Sequence, residues 1–398
     1  MLPVDDEILK SIVGRVMAID DITVTNNEPY PQIRYRGQLR IDSSQAYDQL
    51  SESLHPYGRT PLFRIEGDQQ VIFLVPSLIQ ARPSNPLINL VLFLLTLVTV
   101  VLTGAYFYPV DLAISPTSTF GVFLKNIASG LPFAISLLSI LVAHEFGHYL
   151  AGRFHRTHVT LPYFIPFPTL LGTLGAFIQL KEPPKNKRIL LDIGIAGPIA
   201  GMLVALPVLF LGLSLSKVEP IVIPAGQGFQ LEGNSLLYLL SKYVVFGQWL
   251  PQPSSYGSLP PLLYWIRYFF TSQPLPLGGQ DVFVHPIAWA AWAGLLVTAL
   301  NLIPVGQLDG GHIISTLIGK QARKLLPFIL IVMIALGFFS QVWWFWAVLL
   351  LFLGRWYAEP LDQITPLNTA RKALAVFGLV LFFLVFTPVP LVQVYPGG

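Results

Sequence analysis

The sequence predicts an α-helical polytopic membrane protein with about seven spans and a small soluble α/β domain at its N-terminus. Three observations lead there. Hydrophobic residues make up 53% of the 398 residues and charged residues only 11%, against about 25% in an ordinary soluble domain. The charge is also uneven: residues 1–82 hold 8 of the 24 Lys and Arg and 11 of the 21 Asp and Glu. Beyond them run uncharged stretches long enough for a bilayer, which needs about 20 residues. The absence of cysteine excludes disulfide scaffolds, cysteine-ligated zinc ribbons and thiol nucleophiles, and a net charge of +3 is too small to indicate a nucleic-acid partner. The acidic opening Val4-Asp5-Asp6-Glu7 has no apolar run behind it, so no cleavable signal peptide is expected.

In the head, residues 1–82, helical spacing covers Asp5 to Ala18, and Gln32–Ile41 alternates like a strand. A second helical pattern occupies Ser43–Leu54. Pro61–Glu66 and Gln70–Val75 flank Gly67-Asp68, a hairpin signal. No reactive cluster stands out, so a docking or regulatory domain with its own partner is expected. Ala81–Pro86 is punctuated by two prolines, and residues 83–86 are taken as the linker. A membrane core over 87–320 and further spans over 321–398 complete the division.

The expected spans are Leu87–Phe107, Leu131 to Gly152, Ile193–Ser216, Val282–Leu308, Leu325–Gly354 and Ala373–Val389. The run at 325–354 is 30 uncharged residues interrupted near Ser340-Gln341, and reads as one span or two. In the third span, Ala196-Gly197-Pro198 and Gly201 suit close helix packing. Basic residues gather after the second span (Arg153, Arg156, Lys181, Lys185, Lys187, Arg188), after the fourth (Lys320, Arg323, Lys324) and after the 325–354 run (Arg355, Arg371, Lys372). The positive-inside rule then sets the N-terminus inside and favours two spans in that run.

The second span contains His144-Glu145-Phe146-Gly147-His148. Histidines four apart share one helix face and can reach one Zn²⁺, and the adjacent glutamate can take a proton from an attacking water. Ionisable groups inside a span are costly and functional by default. A proton relay or a structural polar cluster is the competing reading. A catalytic zinc needs a third protein ligand. Asp309 closes the uncharged run of the fourth span, which runs in the same direction as the second, so His144, His148 and Asp309 can meet near the inner face.

HEFGH, followed on a later membrane segment by Asn301-Leu-Ile-Pro304-Val-Gly-Gln-Leu-Asp309-Gly310-Gly311, resembles the site-2 protease family of zinc intramembrane metalloproteases over roughly residues 87–320. The resemblance implies peptide-bond hydrolysis in or beside membrane-spanning segments of membrane-protein substrates. His144, His148 and Asp309 would ligate zinc, Glu145 would be the general base, and Asn301 would hold the substrate or its oxyanion. An interhelical hydrogen bond is the other reading of Asn301. There is no PDZ-like insertion and no CBS-like tail. The head and the extra C-terminal spans look more like the plant-plastid and cyanobacterial branch named for ethylene-dependent gravitropism deficiency and yellow-green leaves. That implies a plasma or thylakoid membrane, with the N-terminus and site opening on the cytoplasmic or stromal side. In the family, a hairpin placed where Gly172–Leu180 lies presents a strand edge to substrate; a plain loop is the alternative.

Other residues carry weaker expectations. His312, three after Asp309, is a candidate to support the metal ligands. His155 and His158 are expected at the interface, as are Trp343, Trp344 and Trp346 as anchors. Phe229–Phe246, with Glu232 and Lys242, reads as an outer amphipathic helix or lid. A transporter or metal carrier using the same His and Asp residues as an ion site is the alternative function. Transporters are often built from repeated halves, and no such repeat is seen.

Overall fold

A computed structural model of the chain describes residues 6–25, 32–76, 84–108, 120–222 and 229–394. At the N-terminus α1 (Asp6–Val16) runs directly into β1 (Met17–Thr25), which pairs antiparallel with β2 (Gln32–Leu39). After α2 (Ser43–Leu54), β3 (Arg59–Glu66) and β4 (Gln69–Pro76) form a hairpin turning at Gly67, φ +60°. The sheet order is β1-β2-β4-β3, with every pair antiparallel. Its inner face, including Tyr35, Phe63 and Ile72, packs on Leu9, Val13, Leu50 and Leu54 of the two helices. The first helix stops two residues short of the expected Ala18. The strand that follows is bulged between Ile19 and Asp21, which breaks the alternation that would reveal it. α2 has its expected limits, with Asp42 Oδ1 accepting from the Ser44 and Gln45 amides at 3.0 and 3.4 Å. Residues 77–83 lie outside the described residues; of the expected linker 83–86, residues 84–86 are described and Pro86 already opens a helix.

The body begins with α3 (Pro86–Phe107), α4 (Phe120–Ser129) and α5 (Leu131–Phe154). A short hairpin of β5 (Tyr163–Pro166) and β6 (Thr173–Phe177) leads to α6 (Lys187–Ser214). Next come β7 (Lys217–Pro220), β8 (Phe229–Glu232), α7 (Leu236–Phe246), α8 (Pro261–Thr271) and β9 (Gln280–Phe283). The chain ends with α9 (Pro286–Asn301), α10 (Asp309–Ile318), α11 (Leu325–Gly337), α12 (Val342–Leu353), α13 (Thr369–Val385) and β10 (Leu391–Val394). Three helical stretches among the described residues, Pro86–Phe107, Gly121–Phe154 and Lys187–Ser214, are long and apolar enough to cross a membrane; Pro286–Asn301 and Val342–Leu353 are apolar but shorter. α5, α6 and α9 pack on one another as the centre of the body.

One expected element comes out differently. The fourth span is helical only over Pro286–Asn301, and a non-helical stretch separates it from α10. Pro304 cannot donate a helical hydrogen bond and Gly306 has φ +61°, so the helix cannot run through to Leu308. Asp309 therefore opens a helix and does not close one. The 325–354 run is two helices, α11 and α12, packed on each other. Their outer ends meet again, through Arg323 to Glu359 at 2.6 Å and Tyr357 to the Ala322 carbonyl at 3.1 Å.

The segment 359–368 straps the head to the body. Phe63 and residues 361–363 exchange backbone hydrogen bonds, and Leu361 and Asp362 bond back to Pro184 and Lys185 before α6. Arg64 donates to the carbonyls of Phe63, Pro360 and Leu361 at 2.9, 3.2 and 2.8 Å. Lys185 pairs with Asp48 at 2.5 Å. Leu361 and Ile364 pack against the head's own core. The head thus lies on the face of the body (here the near face) that carries the end of α5 and the starts of α6 and α13.

On the opposite face, β7 pairs with β9 and β8 with β10. Here the amphipathic-helix expectation fails. Phe229–Glu232 is a strand, and Lys242 on α7 is fully buried, 3.3 Å from Glu232 and 3.2 Å from Asp281. Glu232 also accepts from the Tyr238 hydroxyl at 2.9 Å. A buried ammonium needs such partners. Trp343 is likewise no interface anchor: it is buried and donates to the Pro388 carbonyl at 2.5 Å, while Trp344 is exposed.

Candidate metal centre

The centre is built where α5, α6 and the start of α10 meet. His144 and His148 lie one turn apart on α5, both buried. Their Nε2 atoms are 3.2 Å apart. Asp309 brings Oδ2 to 3.1 Å from His144 Nε2 and Oδ1 to 3.3 Å from His148 Nε2. The donor set fits a metal ion: bonds of 2.0–2.1 Å in tetrahedral array set donors about 3.3 Å apart, and the three groups stand at that spacing. Among the described residues they are the group able to hold one. His148 Nδ1 lies 2.7 Å from the Ile193 carbonyl on α6, so Nδ1 carries the hydrogen and Nε2 keeps its lone pair for a ligand bond.

The sequence explains why the elements come so close. Gly194, Gly197 and Gly201 fall on one stripe of α6. A Cβ at Gly197 would stand 2.0 Å from His148 Nε2, and one at Gly201 3.2 Å from His144 Cβ. The two glycines after Asp309 do the same work at the α10 turn. A Cβ at Gly310 would meet the Leu302 carbonyl at 2.0 Å, and one at Gly311 the Gly306 carbonyl at 2.3 Å. The irregular stretch is packed in protein, with Leu302, Ile303 and Val305 buried, which is what non-helical backbone within a membrane body requires.

Glu145 is buried beside the triad and lines a cavity of about 150 Å³ together with His144, His148, Asp309 and Asn301. Asn301 Nδ2 lies 3.4 Å from His144 Nε2. All five residues singled out from the sequence therefore come together. Ala176, Phe177 and Ile178, within and just after β6, form another wall, so the Gly172–Leu180 expectation lands at the site. His312 lines the cavity but stands outside the triad; its Nδ1 is buried with no hydrogen-bond partner among the described residues. His155 and His158 pair elsewhere, with Asp192 at 3.0 Å and Glu182 at 2.9 Å. The Ile193 carbonyl is the group that sequence reading missed, since a backbone acceptor leaves no residue-type signal. The glycine stripe was visible, but its packing partner was not.

The profile of peptidase family M50 matches residues 132–340, more than half the chain and all of this centre. The chain belongs to peptidase family M50. It is a zinc metalloprotease of the site-2 protease type. Similar curated proteins include the probable zinc metalloprotease EGY1, chloroplastic, of Arabidopsis thaliana, 28% identical over 97% of this chain and 72% of its own length. The protein of the same name from Oryza sativa subsp. japonica is 27% identical over 98% of this chain and 68% of its own. The probable zinc metalloprotease EGY2, chloroplastic, of Arabidopsis thaliana is 26% identical over 96% of this chain, which spans 65% of that relative. No solved structure matches the chain.

Proposed function

We propose that this metalloprotease hydrolyses peptide bonds in or next to membrane-spanning segments of membrane-protein substrates, with Glu145 as general base. One observation carries the reading: a carboxylate, two imidazoles and a second carboxylate converge in one cavity within the apolar helical body. Zinc held by His144, His148 and Asp309 would polarise the scissile carbonyl and acidify the attacking water. Glu145 takes the proton from that water as its oxygen bonds the carbonyl carbon, then returns it to the amine as the C–N bond breaks. The Asn301 amide, beside His144, is available to the carbonyl oxygen. β6 pairs only with β5 among the described strands, which supports strand-to-strand docking of an unwound substrate on its other side.

The reading includes seven crossings, with the near face cytoplasmic or stromal in a plasma or thylakoid membrane. The boundaries 1–82, 83–86, 87–320 and 321–398 go with it, the head being a regulatory docking domain. The common position of the head, the 319–324 turn and the basic ends of α5, α6 and α13 supports the orientation. The test compares membrane proteomes of cells carrying wild-type chain and Glu145→Gln. Substrates should accumulate uncleaved in the variant while its zinc content stays at the wild-type level. Full cleavage by Glu145→Gln would remove the general-base role. The carrier alternative predicts metal uptake into proteoliposomes by both forms.

A further inference from the structure

A second charged cavity on the near face lies beside the metal centre. A pocket of about 220 Å³ lies where the head, the start of α6, the end of α10 and the 359–368 strap meet. Lys187, Lys320 and Arg323 line it, against a single lining carboxylate, Glu359, which is already bound to Arg323 at 2.6 Å. Among the described residues neither lysine ends in an ion pair. Asp362, whose charge acts on Lys187, is buried and accepts hydrogen bonds from the Ile364 and Thr365 amides and the Thr365 hydroxyl. Half-buried Lys187 lines this cavity with no carboxylate in ion-pair contact among the described residues, the charge of Asp362 acting on it from farther off. The Ser315 hydroxyl at the wall is committed to the His312 carbonyl at 2.9 Å, which leaves the cations as the anion-binding groups, and Ile65 and Pro360 give the pocket an apolar side.

We propose that this pocket binds a phosphate ester. Two ammonium groups and a guanidinium converging on one space suit a multiply charged tetrahedral anion, and the apolar side suits the carbon portion attached to it. The position between the head and the near-face end of the body suits the phosphate of a lipid headgroup and that of a soluble ester alike. Either ligand would tie the start of α6 to the end of α10. Those two helices supply the Ile193 carbonyl that anchors His148 and the Asp309 ligand. Leu190 lines both this pocket and the metal cavity, so a change in one is felt across a single side chain in the other.

The test follows thermal unfolding of the full, zinc-loaded chain by tryptophan fluorescence, without any cleavage assay, so its outcome is independent of the proteolytic reading. In one arm the chain sits in neutral detergent and is titrated with glycerol 3-phosphate. In the other it sits in vesicles of phosphatidylcholine alone or of phosphatidylcholine with phosphatidylglycerol. A saturable rise in the wild-type transition that needs about tenfold more ligand in Lys187→Gln/Lys320→Gln supports the site, and the arm in which it appears identifies the source. No rise in either arm, or an equal rise in wild type and variant, overturns the proposal. Lys320→Glu alone, at an exposed position, gives the same discrimination should the double variant fail to fold.

Discussion

Gly197→Ala tests the geometry of the metal centre more sharply than replacing a ligand would. The added Cβ would lie 2.0 Å from His148 Nε2, 2.4 Å from Cδ2 and 2.5 Å from Cε1. To reach an ordinary contact the ring must retreat by about 1.4 Å. It has little room to do so, being buried and held through Nδ1 by the Ile193 carbonyl at 2.7 Å. Catalytic groups tolerate displacements of about 0.5 Å, and a misplacement of about 1 Å costs roughly 10²-fold in rate. Zinc affinity and kcat/KM are each expected to fall by about 10²-fold or more, with a packing cost of roughly 1–3 kcal/mol that leaves the chain folded. Gly201→Ala is the internal control, since its nearest neighbour is His144 Cβ at 3.2 Å and needs to give only a few tenths of an ångström. Zinc affinity is measured by chelator competition at fixed free zinc, and folding by the fluorescence melt. The reasoning fails if Gly197→Ala binds zinc like wild type, or if Gly201→Ala is equally impaired.

Three further outcomes follow from the same contacts. Asp309→Asn keeps the shape of the third ligand but removes its charge, so zinc retention under chelator should fall by roughly 10–100-fold while the melt of the metal-free chain stays near wild type. Lys242→Met strands Glu232 and Asp281 in the far-face core and should destabilise the chain by about 3–5 kcal/mol, read as a lower unfolding midpoint. A wild-type midpoint would mean the trio is not paired as found. Arg64→Ala removes hydrogen bonds to the Pro360 and Leu361 carbonyls, worth roughly 1.5–3 kcal/mol at most, and hydrogen exchange at the Phe63 amide and along 359–365 should quicken without change at α5.

What the sequence revealed followed from local pattern, and what it hid was set at a distance. β3, β4 and the turn at Gly67 could be read because alternation and a glycine-aspartate pair are local signals. β1 was lost where its bulge at Ile19 interrupts the alternation. The uncharged run to Leu308 marks what is shielded from water, which is not the same as what is helical. Pro304 and Gly306 were the better guide to where α9 ends. Lys242 was read as solvated because a charge on an apolar helix usually is, and its partner Asp281 is 39 residues away. His144, Glu145, His148 and Asp309 were legible because two histidines at helical spacing and carboxylates in or at the end of an apolar run are conspicuous where charge is scarce, whereas Asn301 came only from the family resemblance.

The hairpin of α11 and α12 poses the remaining question about the body. At 13 and 12 residues the helices are about 18–20 Å long, short of a hydrocarbon core of about 30 Å. Length alone would suggest a re-entrant pair. The contacts argue otherwise. Trp343, at the start of α12, bonds the Pro388 carbonyl just beyond the end of α13. From there the chain enters β10, which pairs with β8 on the far face. The tip of the hairpin therefore stands level with the far end of a helix that itself has only 17 residues. α9, with 16, is equally short, so a body of short helices would be matched by local thinning of the bilayer. Because the chain has no cysteine, single substitutions give clean accessibility data. Ser340→Cys should react with a membrane-impermeant maleimide added to the far side, and Lys320→Cys only from the near side. Protection of Ser340→Cys from both sides would establish a re-entrant hairpin and reduce the crossings to five.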